Sequence, residues 1–227
     1  MNNFGTLYIV ATPIGNLGDI SSRAIDVLRS VDKLYTEDTR VTNGLLKNFD
    51  IITSSISFHA HSDSHKMDLI LKDLIDGKSV ALVTDAGTPG ISDPGNELVD
   101  YLLSREPELK IIPIPGASAL TAALSVSGFN AREFTFLGFL PKKKLQAVYK
   151  QIIDSEIVVV YFDSPHRVIK NLEAIVGRLE DRRIFIAREL TKLHETHYRG
   201  SAEKVLHQLK EEKNLKGELV VIIENKK

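Results

Sequence analysis

Along this chain, short continuous apolar runs alternate with stretches whose apolar residues recur every three or four positions. That alternation predicts strands separated by amphipathic helices. Leu7-Tyr8-Ile9-Val10-Ala11 reads as a first strand, about Lys33–Glu37 as a second, and Val80-Ala81-Leu82-Val83 as a buried one. Ile20, Ala24, Val27, Leu28 and Val31 fall on one helical face, with Asp19 at the N-cap position. Met67, Ile70, Leu71, Leu74 and Ile75 form the stripe of a helix over Ser62–Asp76 that Gly77 ends. Leu109–Ile112 is a further short strand and Ala117–Val126 a helix.

The pattern pauses at Gly128-Phe129-Asn130 and restarts with strand Phe134–Leu137, helix Lys142–Asp154 and strand Ile157–Phe162. A helix carrying Val168, Ile169, Leu172, Ile175, Val176 and Leu179 follows, with Ser164-Pro165 suited to its cap and first position. Strand Ile184–Ala187, an irregular stretch, a helix from Ser201 and strand Leu219–Ile223 complete the chain. The expected class is α/β, with largely parallel sheets. Two α/β domains are expected, N-terminal over 1–116 and C-terminal over 117–227, hinged near residues 116–133.

Composition narrows the chemistry. The 227 residues are 43% hydrophobic and 26% charged, within the range of globular proteins. The absence of cysteine removes disulfides, thiolate nucleophiles and Cys-ligated metals. No apolar run nears the roughly 18 residues that span a bilayer, and the N-terminus lacks a secretion signature, so a cytoplasmic protein with no membrane partner is expected. A net charge of −1 argues against binding nucleic acid by bulk electrostatics. Local clusters would have to serve instead: Lys142-Lys143-Lys144, Arg182-Arg183, and Arg188 with Lys192.

Glycine and proline concentrate directly after three expected strands: Thr12–Asp19, Asp85–Gly95 and Pro113–Ala119. In open parallel sheets ligands bind beyond the carboxyl ends of strands, and such loops let backbone approach a ligand closely, so a shared crevice is expected. No phosphate-binding loop and no dinucleotide fingerprint is present.

These motifs make the chain resemble the tetrapyrrole (corrin/porphyrin) methylase superfamily, and within it the 16S ribosomal RNA cytidine 2′-O-methyltransferases. The matching segments are Ala11–Asp19, Glu37-Asp38-Thr39-Arg40, Asp85–Gly95, Pro113–Ala119, Gly138–Pro141, Ser164–Arg167 and Ala187–Glu195, in family order along nearly the whole chain. The resemblance implies a homodimer of two-domain chains, with S-adenosylmethionine in the interdomain cleft and the small ribosomal subunit, through its 16S rRNA, as partner. Asp163 replaces the usual Glu before Ser164, and Gly18 the commoner Ala. Many relatives carry an additional segment after the last strand; without it, docking on the subunit would use other surfaces.

By the resemblance, Gly87, Pro89, Ile91, Ser92, Gly116 and Ser118 lie nearest the cofactor, with Pro13 and Gly217 as weaker candidates. Asp38 and Arg40 hold a ribose or tune a proton acceptor, or else Asp38 caps a helix. Lys192, His194 and Glu195 are further catalytic candidates, Lys192 only if its pKa is depressed. His59 and His61 face substrate RNA, serve as structural histidines, or begin a metal site; no metal is expected. His166 and Arg167 suit RNA phosphate at a helix start, or are a cap with a surface Arg. Arg188 borders the acceptor. The competing functions are a tetrapyrrole methyltransferase of the same fold and a non-enzymatic RNA-binding relative.

Overall fold

The computed structural model describes residues 3–59 and 64–226, which divide into two compact units at Ser118/Ala119. The first unit contains β1 (Thr6–Val10), α1 (Ser22–Ser30), β2 (Lys33–Thr36), α2 (Thr39–Asn48), β3 (Ser55–Ser57), α3 (Ser64–Ile75), β4 (Val80–Val83), α4 (Asn96–Arg105) and β5 (Lys110–Ile114). Its five strands are all parallel in the order β3-β2-β4-β1-β5. Successive strand residues point to opposite faces. Leu7, Tyr35, Val80 and Leu82 therefore meet α3 and α4 through Ile70, Leu74, Leu98 and Leu102. Val10, Leu34, Ala81 and Val83 meet α1 and α2 through Ala24, Leu28 and Leu46. Helices cover both faces, which is why β4 is apolar at every position.

The second unit contains α5 (Ala119–Ser127), β6 (Phe134–Phe139), α6 (Leu145–Asp154), β7 (Val158–Asp163), α7 (Pro165–Glu173), β8 (Arg183–Arg188), β9 (Thr196–Ser201), α8 (Ala202–Glu211) and β10 (Leu219–Ile223). Its sheet runs β6-β7-β10-β8-β9. Only β6 and β7 are parallel; the other three pairings are antiparallel. A largely parallel sheet thus holds for the first unit and fails for the second. There β9 follows β8 directly and pairs with it as a hairpin, which needs no crossover helix.

Several expectations are corrected. The cap of α1 is Ser21, whose Oγ accepts from Ala24 N at 3.1 Å, because Asp19 is taken up in a 3-10 turn over Leu17–Asp19. The expected hinge near 116–133 contains α5, a helix packed on β10 and β8 of its own unit. Arg182, expected in a basic surface cluster, is 5% exposed and donates to the carbonyls of Ile152, Ile153 and Ser155. Ser164 stands at the N-cap of α7 with Pro165 in the first turn, yet its side chain makes no capping bond.

Candidate functional site

In the first unit the helices after β1 and β2 cover one face of the sheet, and the helix after β4 covers the other. Connections leaving neighbouring strands toward opposite faces open a crevice at the strands' carboxyl ends. The loop after β4, residues 84–95, stands between two neighbouring strands, β1 and β2, whose connections leave toward the other face.

On the β1 side, Thr12 and Gly87 exchange backbone hydrogen bonds of 2.9 and 3.1 Å, and Thr88 Oγ1 donates to Ala117 O at 3.1 Å. Three glycine- and proline-bearing loops, far apart in sequence, therefore touch. Gly87 has φ +87°, a left-handed backbone that side-chain-bearing residues rarely adopt, so the turn favours glycine there. Pro89 is buried, Pro13 and Ser118 are half-buried, and Ile91, Ser92 and Gly116 are exposed, with Ser92 held at φ +70°. The Thr84 hydroxyl is buried here without a hydrogen-bond partner. None of the three loops contains a lysine or arginine.

On the β2 side lies a cavity of about 400 Å³, bounded by Glu37, Phe58, His59, Met67, Ser92 and the turn into α4. Asp38 caps α2, its Oδ1 accepting from Arg40 N at 2.8 Å, while the Arg40 guanidinium grips both carboxylate oxygens. The Asp38 backbone donates to Asp85 Oδ1 at 3.0 Å, which ties the end of β2 to the loop after β4. The side-chain hydrogen bond from Arg40 and that from its backbone bring the Asp38 pKa down to about 2. Glu37 shifts the other way: burial, then the neighbouring Asp85, raise its pKa. Asp85 is raised too, first by burial. The helix-cap reading of Asp38 is therefore realised, and Glu37 is the acid with more basic character.

Asp93 and Asn96, as cavity residues, were not singled out in the sequence, whereas Glu37 stood beside Asp38 as one of two adjacent acids at a strand end. His59 lines the cavity, whereas His61 lies outside the described residues. Among the described residues no group of three His, Asp or Glu is placed to hold a metal ion.

The second unit gathers another knot. Lys192 Nζ donates to Glu189 Oε1 and to Glu218 Oε2, each at 2.9 Å. Burial alone would lower the Lys192 pKa, but the two carboxylates outweigh it and the net direction is upward. The depressed pKa that a lysine base needs is absent. A Cβ on Gly217 would come within 2.3 Å of the Glu189 carboxyl, so this glycine makes room for Glu189. Glu189 and Thr191 hold φ of +53° and +64°, costly for side-chain-bearing residues, above all a β-branched one. Glu195 Oε2 accepts from Thr191 N at 2.6 Å, and its Oε1 lies 2.8 Å from His197 Nε2. Arg188 donates to Thr196 Oγ1 at 3.0 Å, and its Nε is buried without a partner. His194 and His166 are exposed. Arg167 binds the carbonyls of Leu140 and Pro141 at 2.8 and 3.0 Å, so that much of its donor capacity holds a loop.

Residues 6–206 match the family model of the tetrapyrrole (corrin/porphyrin) methylases. Ribosomal RNA small subunit methyltransferase I of Halalkalibacterium halodurans is 42% identical over 222 residues, covering 97% of this chain and 76% of that protein. The protein of the same name from Thermotoga maritima is 43% identical over 223 residues, covering 98% and 99%. Among solved structures, diphthine synthase superposes with a TM-score of 0.73 at 16% identity, over 97% of this chain and 90% of that one. With the family model spanning most of the chain and relatives above 40% identity along nearly all of it, this chain belongs to the tetrapyrrole methylase family and, within it, to the ribosomal RNA small subunit methyltransferase I group.

Proposed function

We propose that this protein transfers a methyl group from S-adenosylmethionine to the ribose 2′-hydroxyl of a cytidine in the 16S RNA of the small ribosomal subunit, in the cytoplasm. The observation that carries this reading is the meeting of the three loops at Thr12, Gly87 and Ala117, in a chain whose relatives at 42–43% identity bear the ribosomal RNA methyltransferase name. The family resemblance supports a homodimer as the assembly.

The loops fit the donor. S-adenosylmethionine supplies an electrophilic methyl group on a positively charged sulfur. Loops without lysine or arginine, close to Asp85 and Glu37, suit a cation better than a polyphosphate. Pro13, Gly87, Pro89, Gly116 and Ser118 hold the donor through backbone groups, and Ile91 and Ser92 bound it at the loop tip. In the second unit, Gly217 makes room for Glu189.

The protein's work is to orient donor and hydroxyl and to exclude water, which together can lower a barrier by about 7–11 kcal/mol. A sugar hydroxyl also needs help losing its proton. Glu37, whose raised pKa brings it nearer neutrality than Asp38, is the better acceptor. Asp38 and Arg40 position it by fixing the end of β2. Lys192 remains a cation and, with Arg188, His194, Glu195 and His166, serves recognition of the acceptor. Titration calorimetry of the purified protein with S-adenosylmethionine is expected to show saturable binding, weakened by Gly116→Val. No uptake of the donor, with or without RNA, would overturn the reading.

A further inference from the structure

A second cavity, of about 390 Å³, lies between α3 and the β2–β3 edge of the first unit. Lys33, Lys66, Lys72 and Lys78 line it, against Asp73 and Asp76, over a floor of Tyr35, Ile56 and Leu69. Four ammonium groups facing two carboxylates stand out in a chain of net charge −1.

These lysines are not an ordinary solvated fringe. Asp73 is only 4% exposed. Its Oδ2 holds Lys33 Nζ at 2.6 Å and its Oδ1 holds Lys78 Nζ at 2.8 Å, with Tyr35 OH at 3.3 Å. Lys66 Nζ donates to Ser57 O at 2.9 Å. An ammonium group has three donors, and the bond to Asp73 uses one on Lys33 and one on Lys78. Holding them in advance removes part of the side-chain entropy lost on binding. Ile56 and Leu69, 38% and 45% exposed, add apolar surface.

Position gives the groove its meaning. Its residues Ile56 and Lys66 are close neighbours in sequence of Phe58, His59 and Met67, which line the cavity beside Glu37. From Lys66 to Asp76 the groove follows α3 for about 15 Å at 1.5 Å per residue.

We propose that this groove binds the phosphodiester backbone of the acceptor RNA, on the strand leading away from the methylated nucleotide. The proposal rests on the ribosomal RNA reading above. Lysines at successive phosphates supply affinity and register, leaving sequence to be read elsewhere.

The test uses Lys66→Glu/Lys72→Glu, which spares the buried Asp73 and its two lysine partners, with Lys213→Glu as a control of surface charge. Binding of a fluorescein-labelled 16S RNA fragment is followed by anisotropy across a salt series, beside methyl transfer to small subunits. The double variant is expected to weaken binding at least tenfold and to lower the salt slope by roughly two. KM for the RNA should rise while the Kd for S-adenosylmethionine stays unchanged. Wild-type affinity and slope in the double variant would overturn the groove, and the methyltransferase reading would stand if transfer persisted. A wild-type protein that neither bound the fragment nor methylated the subunit would overturn both.

Discussion

Thr12 and Gly87, 75 positions apart in sequence, form an isolated antiparallel bridge between two loops that leave neighbouring parallel strands. The bridge pins the turn after β1 to the turn after β4, and Thr88 extends the contact to the turn after β5. Gly87 reaches it only with φ +87°.

Gly87→Ala is therefore expected to cost about 1–2 kcal/mol of stability, the penalty for a side chain in left-handed backbone. Affinity for S-adenosylmethionine should fall at least tenfold, more than the fall in melting temperature alone explains. Calorimetry and thermal melts on one preparation separate the two effects.

Asp38, with its pKa near 2, is ionised throughout the neutral range. A break in the pH–rate profile near neutrality therefore belongs to another group. Asp38→Asn, which can still cap α2, is expected to keep the acidic limb of single-turnover transfer and move it slightly lower, because the Asp38 charge helps to raise Glu37. Glu37→Gln is expected to remove an ascending acidic limb. A break that vanishes with Asp38→Asn and survives Glu37→Gln would reverse the two roles.

Lys192 and Glu189 should make stability depend on pH in a definite window. Glu189 is lowered: burial opposes this, but Lys192 and the Glu218 backbone outweigh it. Its contribution is present above the unfolded value of 4.5 and is lost as pH falls through the folded pKa. Lys192 is raised, so its contribution is complete below the unfolded value of 10.5 and is lost as pH rises through the folded pKa. Lys192→Met is expected to be destabilising by about 0.5–1 kcal/mol between these limits, less at high salt. Urea melts at pH 3.5, 7 and 11 check the shape.

Asp163, Asn171 and Tyr149 form a buried chain: Tyr149 OH donates to Asn171 Oδ1 at 2.8 Å, and Asn171 Nδ2 to Asp163 Oδ2 at 2.7 Å. Asp163 accepts in addition from Ser164 N at 2.8 Å, so the acid fixes the start of α7 where the Ser164 side chain does not. Burial raises the Asp163 pKa, and Asn171 opposes that. Asn171→Leu is expected to cost about 1–3 kcal/mol at neutral pH. The loss should shrink as pH falls, because protonation of Asp163 relieves the unpaired charge. A loss independent of pH would mean that packing alone is at stake.

The parallel pairing of the first sheet was legible in sequence, for a physical reason. β4 is buried on both faces and α3 carries one apolar stripe, so Val80–Val83 and Gly77 mark their own boundaries. Elements whose stability comes from pairing were not visible. β3 is an edge strand of three residues, and β9 alternates weakly within Thr196–Ser201, where Tyr198 is its one buried residue. α4 was missed because its first turn emerges from the glycine-rich loop without a side-chain cap. The loops after β1, β4 and β5 were legible as a group because glycine and proline mark backbone that must turn sharply. The lysines of the α3 groove were not, since Lys33 and Lys78 meet only where Asp73 is buried between strand and helix.

The most direct measurement is nucleoside mass spectrometry of 16S RNA after incubating small subunits from cells lacking this protein with the purified enzyme and deuteromethyl-labelled S-adenosylmethionine. A single deuterated 2′-O-methylcytidine is expected, absent with Gly87→Ala at limiting donor. Label on a base, or none in the RNA despite bound donor, would contradict ribose methylation by this chain.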